Sequence, residues 1–239
     1  MMLTSTSTVH ILASRTKAST LEDMLRSDII TGDLLPGSKL RIKELGERYA
    51  AGAIPLREAL SRLCATGFVV AVDQKGFRVA DVSLAELADI TETRQQIERL
   101  AIVKAIRRRD PKWEGDVLSV HHQLQRISVY RAGDSSRLNP DWESVHNRFH
   151  EVLIAGCQSE WLMHFASMLR DQTARYRHLS TTAPHAQDRN LALEHEAIVQ
   201  AVLSHDVELA STLLVEHFGK TTQLVTAALH SLLKARSNT

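Results

Sequence analysis

The chain has 239 residues, of which 44% are hydrophobic and 24% are charged, a composition typical of ordinary globular proteins. It carries enough apolar side chains to bury a core, which excludes wholesale disorder, and its length allows one or two domains. The net charge is only +1, so any nucleic-acid binding has to be argued from local features. No apolar run reaches the ~18 residues of a membrane span, and neither a signal peptide nor a CxxC motif is found. We therefore expect a cytoplasmic protein with reduced cysteines.

The N-terminal segment begins with an arm and continues into three short helical patterns. Residues 1–19 are rich in serine and threonine, and we predict that they form a flexible arm. Apolar residues then recur at helical spacing, and glycine or proline interrupts the pattern twice. The predicted helices cover residues 20–31, 41–50 and 55–67. Pro55 is expected at the first position of the third helix, where its missing N–H costs no hydrogen bond.

A β-hairpin is predicted directly after the third helix. The runs Phe68–Val72 and Phe77–Val82 are rich in β-branched and aromatic residues, and Gly76 stands in the turn between them. Three short helices followed by a hairpin is the order of a winged helix-turn-helix, so we predict a DNA-binding domain over residues 20–82. Residues 1–80 carry a net charge of +3 and the remainder −2, which is the sign expected for such a module.

From Ser83 onward the pattern is helical throughout. The segment Ser83-Leu84-Ala85-Glu86 is a capping box, which begins a long helix that ends near Arg109. Further helices are predicted over residues 111–130, 140–156, 160–179, 189–204 and 207–235, with loops over 131–139 and 180–188. The predicted fold class is therefore mostly α, with an N-terminal winged helix-turn-helix and an all-α bundle of six or seven helices over residues 83–235.

Four of the twelve histidines lie on predicted helices at positions that can converge. His146 and His150 are four residues apart, so they lie one turn apart on the same face. His195 and His217 stand on either side of the tight turn between the last two helices, which places them at similar heights in an antiparallel pair. Imidazoles that converge inside a helical bundle are typical of a first-row transition-metal site, and we predict a divalent metal, Zn²⁺ foremost.

A structural role for the histidines is the alternative. For His146 and His150 alone, a hydrogen-bonded helix face is an equal explanation, and the metal hypothesis depends on all four residues together. A metalloenzyme could use the same set, but the sequence contains no H-E-x-x-H motif and no obvious general base. We expect no enzymatic activity.

Motifs in both halves of the chain resemble the GntR family of bacterial transcription regulators, whose heads carry a Pro-Gly turn, a recognition helix and a glycine-tipped wing. The matching head motifs are Leu35-Pro36-Gly37, Pro55-Leu56-Arg57-Glu58-Ala59-Leu60 and Gln74-Lys75-Gly76-Phe77-Arg78-Val79. The C-terminal half resembles the FadR C-terminal ligand-binding (FCD) type at Phe149-His150, Glu194-His195 and Glu216-His217. Within the family, the head motifs resemble those of the carbon-starvation-induced repressors of glutarate and γ-aminobutyrate catabolism.

The resemblance implies a homodimer whose two heads bind a palindromic operator in double-stranded DNA, with each recognition helix in a major groove. The residues at the family's DNA-contacting positions are Lys43, Ile54, Pro55, Arg57, Gln74, Lys75 and Gly76. Arg57 is expected to bind a guanine edge or a phosphate, and an ion pair with a neighbouring acid is the alternative. Gly52, Ala53 and Ile54 replace the family's usual Ser-Arg-Thr, so its usual half-site is not assumed.

The resemblance also implies a small carboxylate effector, for example a dicarboxylate such as glutarate, bound at the metal. Arg94 and Arg175 match arginines of the family's ligand domain and are expected to bind carboxylate, with ordinary surface ion pairs as the alternative. His146 stands where the family usually has aspartate, and an all-histidine set leaves the metal more positive. The predicted function is a ligand-responsive repressor. The alternatives are a metal-dependent enzyme with a vestigial head and a DNA-binding protein whose metal is purely structural.

Overall fold

The computed structural model describes the backbone of residues 16–181, 183 and 188–237. The first helix begins at Lys17 rather than Thr20, because the Thr16 hydroxyl accepts a hydrogen bond from the Ser19 amide and caps the helix. The rest of the predicted arm, residues 1–15, lies outside the described residues.

The N-terminal part, called the head below, has the element order of a winged helix-turn-helix. Its elements are α1 (Lys17–Ile30), β1 (Lys39–Leu40), α2 (Ile42–Arg48), α3 (Ala53–Ala65), β2 (Val69–Val72) and β3 (Gly76–Val79). The predicted hairpin is confirmed, because β2 and β3 pair antiparallel. α3 begins earlier than predicted, with Gly52 as its N-cap. Pro55 therefore lies inside the first turn, where helix N–H groups have no internal partner.

A short third strand completes the sheet of the head. β1 pairs with the edge of β3 that faces away from β2, so β3 is the central strand and the order is β1-β3-β2. The sequence does not predict β1, since two residues are too short to show an alternating pattern. Apolar side chains of the three helices pack beneath the sheet, among them Leu25, Ile29, Leu45, Leu56, Leu60 and Leu63. This core holds α3 with its first turn facing solvent.

The C-terminal part, called the body below, is a bundle of six helices within the described residues. They are α4 (Leu84–Arg108), α5 (Pro111–Gln125), α6 (Pro140–Ala155), α7 (Glu160–Ser180), α8 (Leu191–Leu203) and α9 (Val207–Ser237). Ser83, Asp110 and Asn139 cap α4, α5 and α6 through their side chains. The predicted fold class is confirmed. In the part of the chain that the structure describes, no helix has the length and apolar character needed to cross a membrane.

The loop predicted over residues 131–139 is wrong. The structure has a two-stranded hairpin there, formed by β4 (Tyr130–Arg131) and β5 (Asp134–Leu138). Asp33 of the head accepts hydrogen bonds from Arg131 at 2.6 Å and Arg137 at 2.5 Å. Because these strands are polar and ion pairs tie them to the head, no apolar alternation marks them in the sequence.

The head rests on α7 of the body. The Gln172 amide donates to the carbonyl of Thr66, and Arg175 donates to the carbonyl of Gly67 at 2.8 Å. Arg175 also pairs with Glu86 of α4 at 2.9 Å. Thr66 and Gly67 directly follow α3, so these bonds tie the end of that helix to the body.

Candidate metal centre and DNA-binding surface

The four predicted histidines converge inside the body. α6 supplies His146 and His150, α8 supplies His195 and α9 supplies His217, and each residue is at most 4% exposed. One ring nitrogen of each lies within 4.8 Å of those of the other three. The Nε2 atoms of His146 and His150 are 3.2 Å apart. Neighbouring nitrogens bound to one zinc ion at ~2.0–2.1 Å would be ~2.9–3.3 Å apart, so this pair fits a shared metal.

Burial keeps the imidazoles neutral. It lowers the pKa of His146, His150 and His195 well below 6.5, and the charge of Arg177 adds to the effect on His146. Burial also lowers the pKa of His217 to about 4, although the nearby Glu194 acts in the opposite direction. A neutral imidazole offers a nitrogen lone pair, so the cluster can bind a cation at neutral pH without first releasing protons.

A carboxylate orients His217. Its Nδ1 is hydrogen-bonded to Glu194 at 2.8 Å, which leaves Nε2 for a metal. Arg189 donates to both oxygens of Glu194, at 2.9 and 2.7 Å, and to the backbone carbonyl of His217 at 3.0 Å. Burial raises the pKa of Glu194, but the hydrogen bonds with Arg189 and His217 outweigh it and bring the pKa below its usual range. This pair was not predicted from the sequence, where its only signal is an acid directly before a candidate ligand.

A cavity adjoins the histidines. Its volume is about 30 Å³. Besides His146, His150 and His217, its polar lining includes Thr91, Arg94, Thr173, Arg177, Thr221 and Thr222. Cations and hydroxyl groups beside neutral imidazoles suit a small anion better than an apolar ligand.

Arg94 lies at this cavity. It pairs with Glu98 at 2.7 Å and donates to the Thr173 hydroxyl at 2.9 Å, while its guanidinium carbon is 3.9 Å from the centre of the Phe218 ring. Its Nη2 is buried and has no hydrogen-bond partner among the described residues. Burial lowers the pKa of Arg94 to about 10, so the side chain is charged at neutral pH. A buried cation with a spare N–H donor is suited to a carboxylate ligand.

The expectation that Arg175 faces this cavity is corrected by the structure. Arg175 bonds to the head and to Glu86, and it is not among the residues that line the cavity. Arg177 lines the cavity and donates to Glu143. Two residues apart on a helix means about 200° of rotation, so these arginines face opposite sides of α7. Both occur in one short stretch of sequence, and the choice between them depends on how α7 packs.

The predicted DNA-contacting residues are exposed on the head, apart from the half-buried Pro55. They are Lys43 on α2, Ile54 and Arg57 on α3, and Gln74, Lys75 and Gly76 at the tip of the β2–β3 hairpin. Gln74 and Gly76 have φ values of +57° and +86°, which make the tip tight.

The cations at these positions differ from their neighbours in being unpaired. Lys43, Arg57 and Lys75 form no ion pair with any side chain in the described part of the chain. On the same helices, Arg48 pairs with Asp28 and Arg62 pairs with Glu58. The three cations at the family's DNA-contacting positions are thus unpaired, as are Lys17 and Lys39 elsewhere on the described part of the head.

Two family models match consecutive parts of the chain. Residues 17–79 match the model described as bacterial regulatory proteins, gntR family, and residues 89–220 match the FCD domain. The two matches correspond to the head and to most of the body.

Similar proteins agree with these matches. The chain is 38% identical over 196 residues to the HTH-type transcriptional repressor GlaR of Escherichia coli (strain K12), covering 81% of this chain and 88% of that protein. It is 37% identical over 202 residues to BphR of Paraburkholderia xenovorans (strain LB400), described as an uncharacterized HTH-type transcriptional regulator, covering 84% and 82%. The structure of E. coli McbR/YncC shares the fold, with a TM-score of 0.71 at 20% identity over 89% of this chain and 98% of that one. The chain belongs to the GntR family of bacterial transcriptional regulators, with an FCD-type C-terminal domain, as its motifs predict.

Proposed function

We propose that this DNA-binding regulator is a cytoplasmic repressor that binds a palindromic operator as a homodimer and responds to a small carboxylate held at a metal site in the body. One observation carries the proposal: four buried histidines converge, and three of them line the same cavity as Arg94 with its spare N–H donor. The proposal assigns no catalytic step to the protein.

The metal would be held by His146, His150, His195 and His217, with Zn²⁺ foremost. A divalent ion bound there would supply a Lewis-acidic position for an anionic oxygen. Four neutral ligands do not reduce the charge of the ion, so its attraction for a carboxylate is stronger than in a site containing an aspartate. Glu194 would keep His217 in the tautomer that presents Nε2.

The effector would be recognised by the cations of the cavity as well as by the metal. Arg94 and Arg177 both line it, and threonine hydroxyls add neutral donors. A short dicarboxylate, such as the glutarate that the sequence resemblance implies, has two anionic ends. One end would bind at the metal and the other at Arg94.

Elemental analysis tests the metal. We expect about one divalent metal per chain in the wild type and none in the His195→Ala/His217→Ala double variant, because half of the ligand set is removed. His164→Ala removes an exposed histidine of α7 and should stay loaded. A fully loaded double variant would contradict the site.

Effector binding is tested by release of operator DNA and by thermal shift. The metal-loaded protein is titrated with acetate, succinate, glutarate and adipate, and at least one of these should stabilise it and change its operator affinity. Arg94→Lys keeps the positive charge but loses the planar guanidinium that binds a carboxylate through two N–H groups. A tenfold or greater weakening of effector binding is therefore expected. Arg99→Lys, on an exposed part of the same helix, is the control. A loaded protein that responds to none of the acids would have a purely structural metal.

A further inference from the structure

Ile54 is an apolar side chain that the fold does not use. It is 82% exposed, more than any other large hydrophobic residue in the described part of the chain. Leu56 and Leu60 on the same helix are fully buried, so the apolar positions that α3 needs for packing are already filled. An isoleucine left in water gains nothing from the hydrophobic effect until a partner covers it.

The position of Ile54 indicates what that partner is. It lies in the first turn of α3, the helix that the family places in the major groove, and the first residues of such a helix contact base edges. The residues before it, Gly52 and Ala53, are small and leave the approach to it open. Arg57 follows three residues later, so its side chain is a neighbour of Ile54 on the helix surface.

Ile54 has no group that can donate or accept a hydrogen bond. The apolar feature that standard bases present in the major groove is the C5-methyl group of thymine. Arg57, which has no ion-pair partner among the described residues, carries the guanidinium fork that fits the O6 and N7 atoms of guanine. Neighbours three residues apart on a helix have Cβ atoms about 5–6 Å apart, and stacked base pairs are about 3.4 Å apart. The two side chains therefore reach bases one or two steps apart.

We propose that Ile54 contacts the C5-methyl group of a thymine in each operator half-site, within two base pairs of a guanine bound by Arg57. This inference rests on the proposed binding of an operator through α3. It makes Ile54 a residue that determines base specificity, at a position where the family usually has threonine.

Uracil substitution tests the methyl contact directly, since uracil differs from thymine only in lacking that group. Operators are first selected from a random duplex pool with the full-length, metal-loaded protein. Each thymine of the selected half-site is then replaced by uracil, one position at a time, in both half-sites, and the Kd is measured by fluorescence anisotropy. One position is expected to weaken wild-type binding roughly 4-fold per half-site, or about 15-fold for both, the value of one buried methyl group.

The Ile54→Ala variant shows whether Ile54 makes this contact. It should bind the thymine operator about as weakly as the wild type binds the uracil operator, and it should lose no further affinity when uracil is introduced. Because Ile54 is exposed, the variant should unfold at the wild-type temperature. Leu35→Ala, which truncates a 61% exposed leucine before β1, is the matched control and should behave as wild type.

Three outcomes would overturn the proposal. Uracil could leave wild-type binding unchanged at every thymine, or the Ile54→Ala variant could respond to uracil as strongly as the wild type. The variant could also lose affinity equally for selected and random duplexes, which would assign Ile54 to a contact other than base reading. Failure to select any sequence would overturn operator binding through α3 together with this inference.

Discussion

The head and the body place their candidate binding side chains in opposite environments. Lys43, Arg57 and Lys75 of the head are exposed and unpaired by any described side chain. In the body, Arg94 and Arg177 are buried and bound to Glu98 and Glu143. A macromolecular ligand such as DNA requires an accessible surface, whereas a small anion is bound tightly only where water is excluded.

This difference determines what substitutions will reveal. An exposed cation without a protein partner can be removed with little effect on the free energy of unfolding. A buried cation cannot, because its carboxylate partner would be left as an uncompensated buried charge. Variants of the head should therefore separate binding from folding, and variants of the body have to be chosen to preserve shape.

The largest expected effect is that of Arg57→Ala on specific DNA binding. Removal of a bidentate guanine contact weakens binding by ~1–3 kcal/mol, or about 5- to 150-fold for each half-site. The thermal unfolding temperature should not change, since Arg57 is exposed. Fluorescence anisotropy with selected and random duplexes measures the effect. Arg62→Ala, which removes a cation already paired with Glu58, is the control. Unchanged specific affinity of Arg57→Ala would contradict the role of α3.

In the body, Glu194→Gln tests how the buried carboxylate supports metal binding, without changing the shape of the site. The amide does not stabilise the required tautomer of His217 as the carboxylate does, so metal affinity should fall about 10- to 100-fold. Competition with a chromogenic chelator measures this without an effector. Glu196→Gln is the matched control, because Glu196 lies on the same helix but bonds to Gln125 and Gln200 instead. Equal metal affinity in the two variants would show that Glu194 does not orient the ligand.

His178 lies where the two regions meet. Its ring packs so closely on Gly32 of the head that a Cβ added there would lie 3.0 Å away. Burial lowers the pKa of His178 to about 4, below the unfolded value of 6.5. Between these values the unfolded chain binds more protons, so stability falls as the pH decreases.

The resulting decrease in stability from His178 is about 2 kcal/mol between pH 7 and pH 5. Urea denaturation of the chelated protein at both pH values measures it, and His178→Gln should show a smaller decrease. The histidine cluster contributes equally to both proteins and cancels in the difference. The same pH dependence in both would mean that His178 is protonated equally in the folded and unfolded states.

The smallest effect is expected for Lys75→Ala at the wing tip. If Lys75 of each head binds one phosphate, the variant should lower the slope of log K against log salt by about 0.9 per phosphate, or about 2 per dimer. Affinity should fall by a similar factor for selected and random duplexes. Lys104→Ala, an exposed lysine of α4, should keep the wild-type slope. A fall confined to selected duplexes would indicate that Lys75 reads a base.

Periodic features could be predicted from the sequence, and features that depend on partners could not. The helices of the head follow from apolar spacing and glycine turns, and the convergence of the four histidines follows from helix geometry. The β4–β5 hairpin was hidden because Asp33, about a hundred residues away, provides its anchoring charge. The choice between Arg175 and Arg177 likewise depends on which face of α7 packs on the head.

The rotation of α7 about its own axis determines how its side chains contact both the head and the cavity. Gln172 and Arg175 hold the carbonyls of Thr66 and Gly67, while Thr173 and Arg177 lie at the cavity. Side chains extend about 5–6 Å from a helix axis, so turning α7 by about ten degrees would move their ends by about 1 Å. A hydrogen bond of 2.8 Å does not survive that stretch. A turn of α7 too small to alter the fold would therefore either break this hydrogen bond or displace the carboxyl-terminal end of α3.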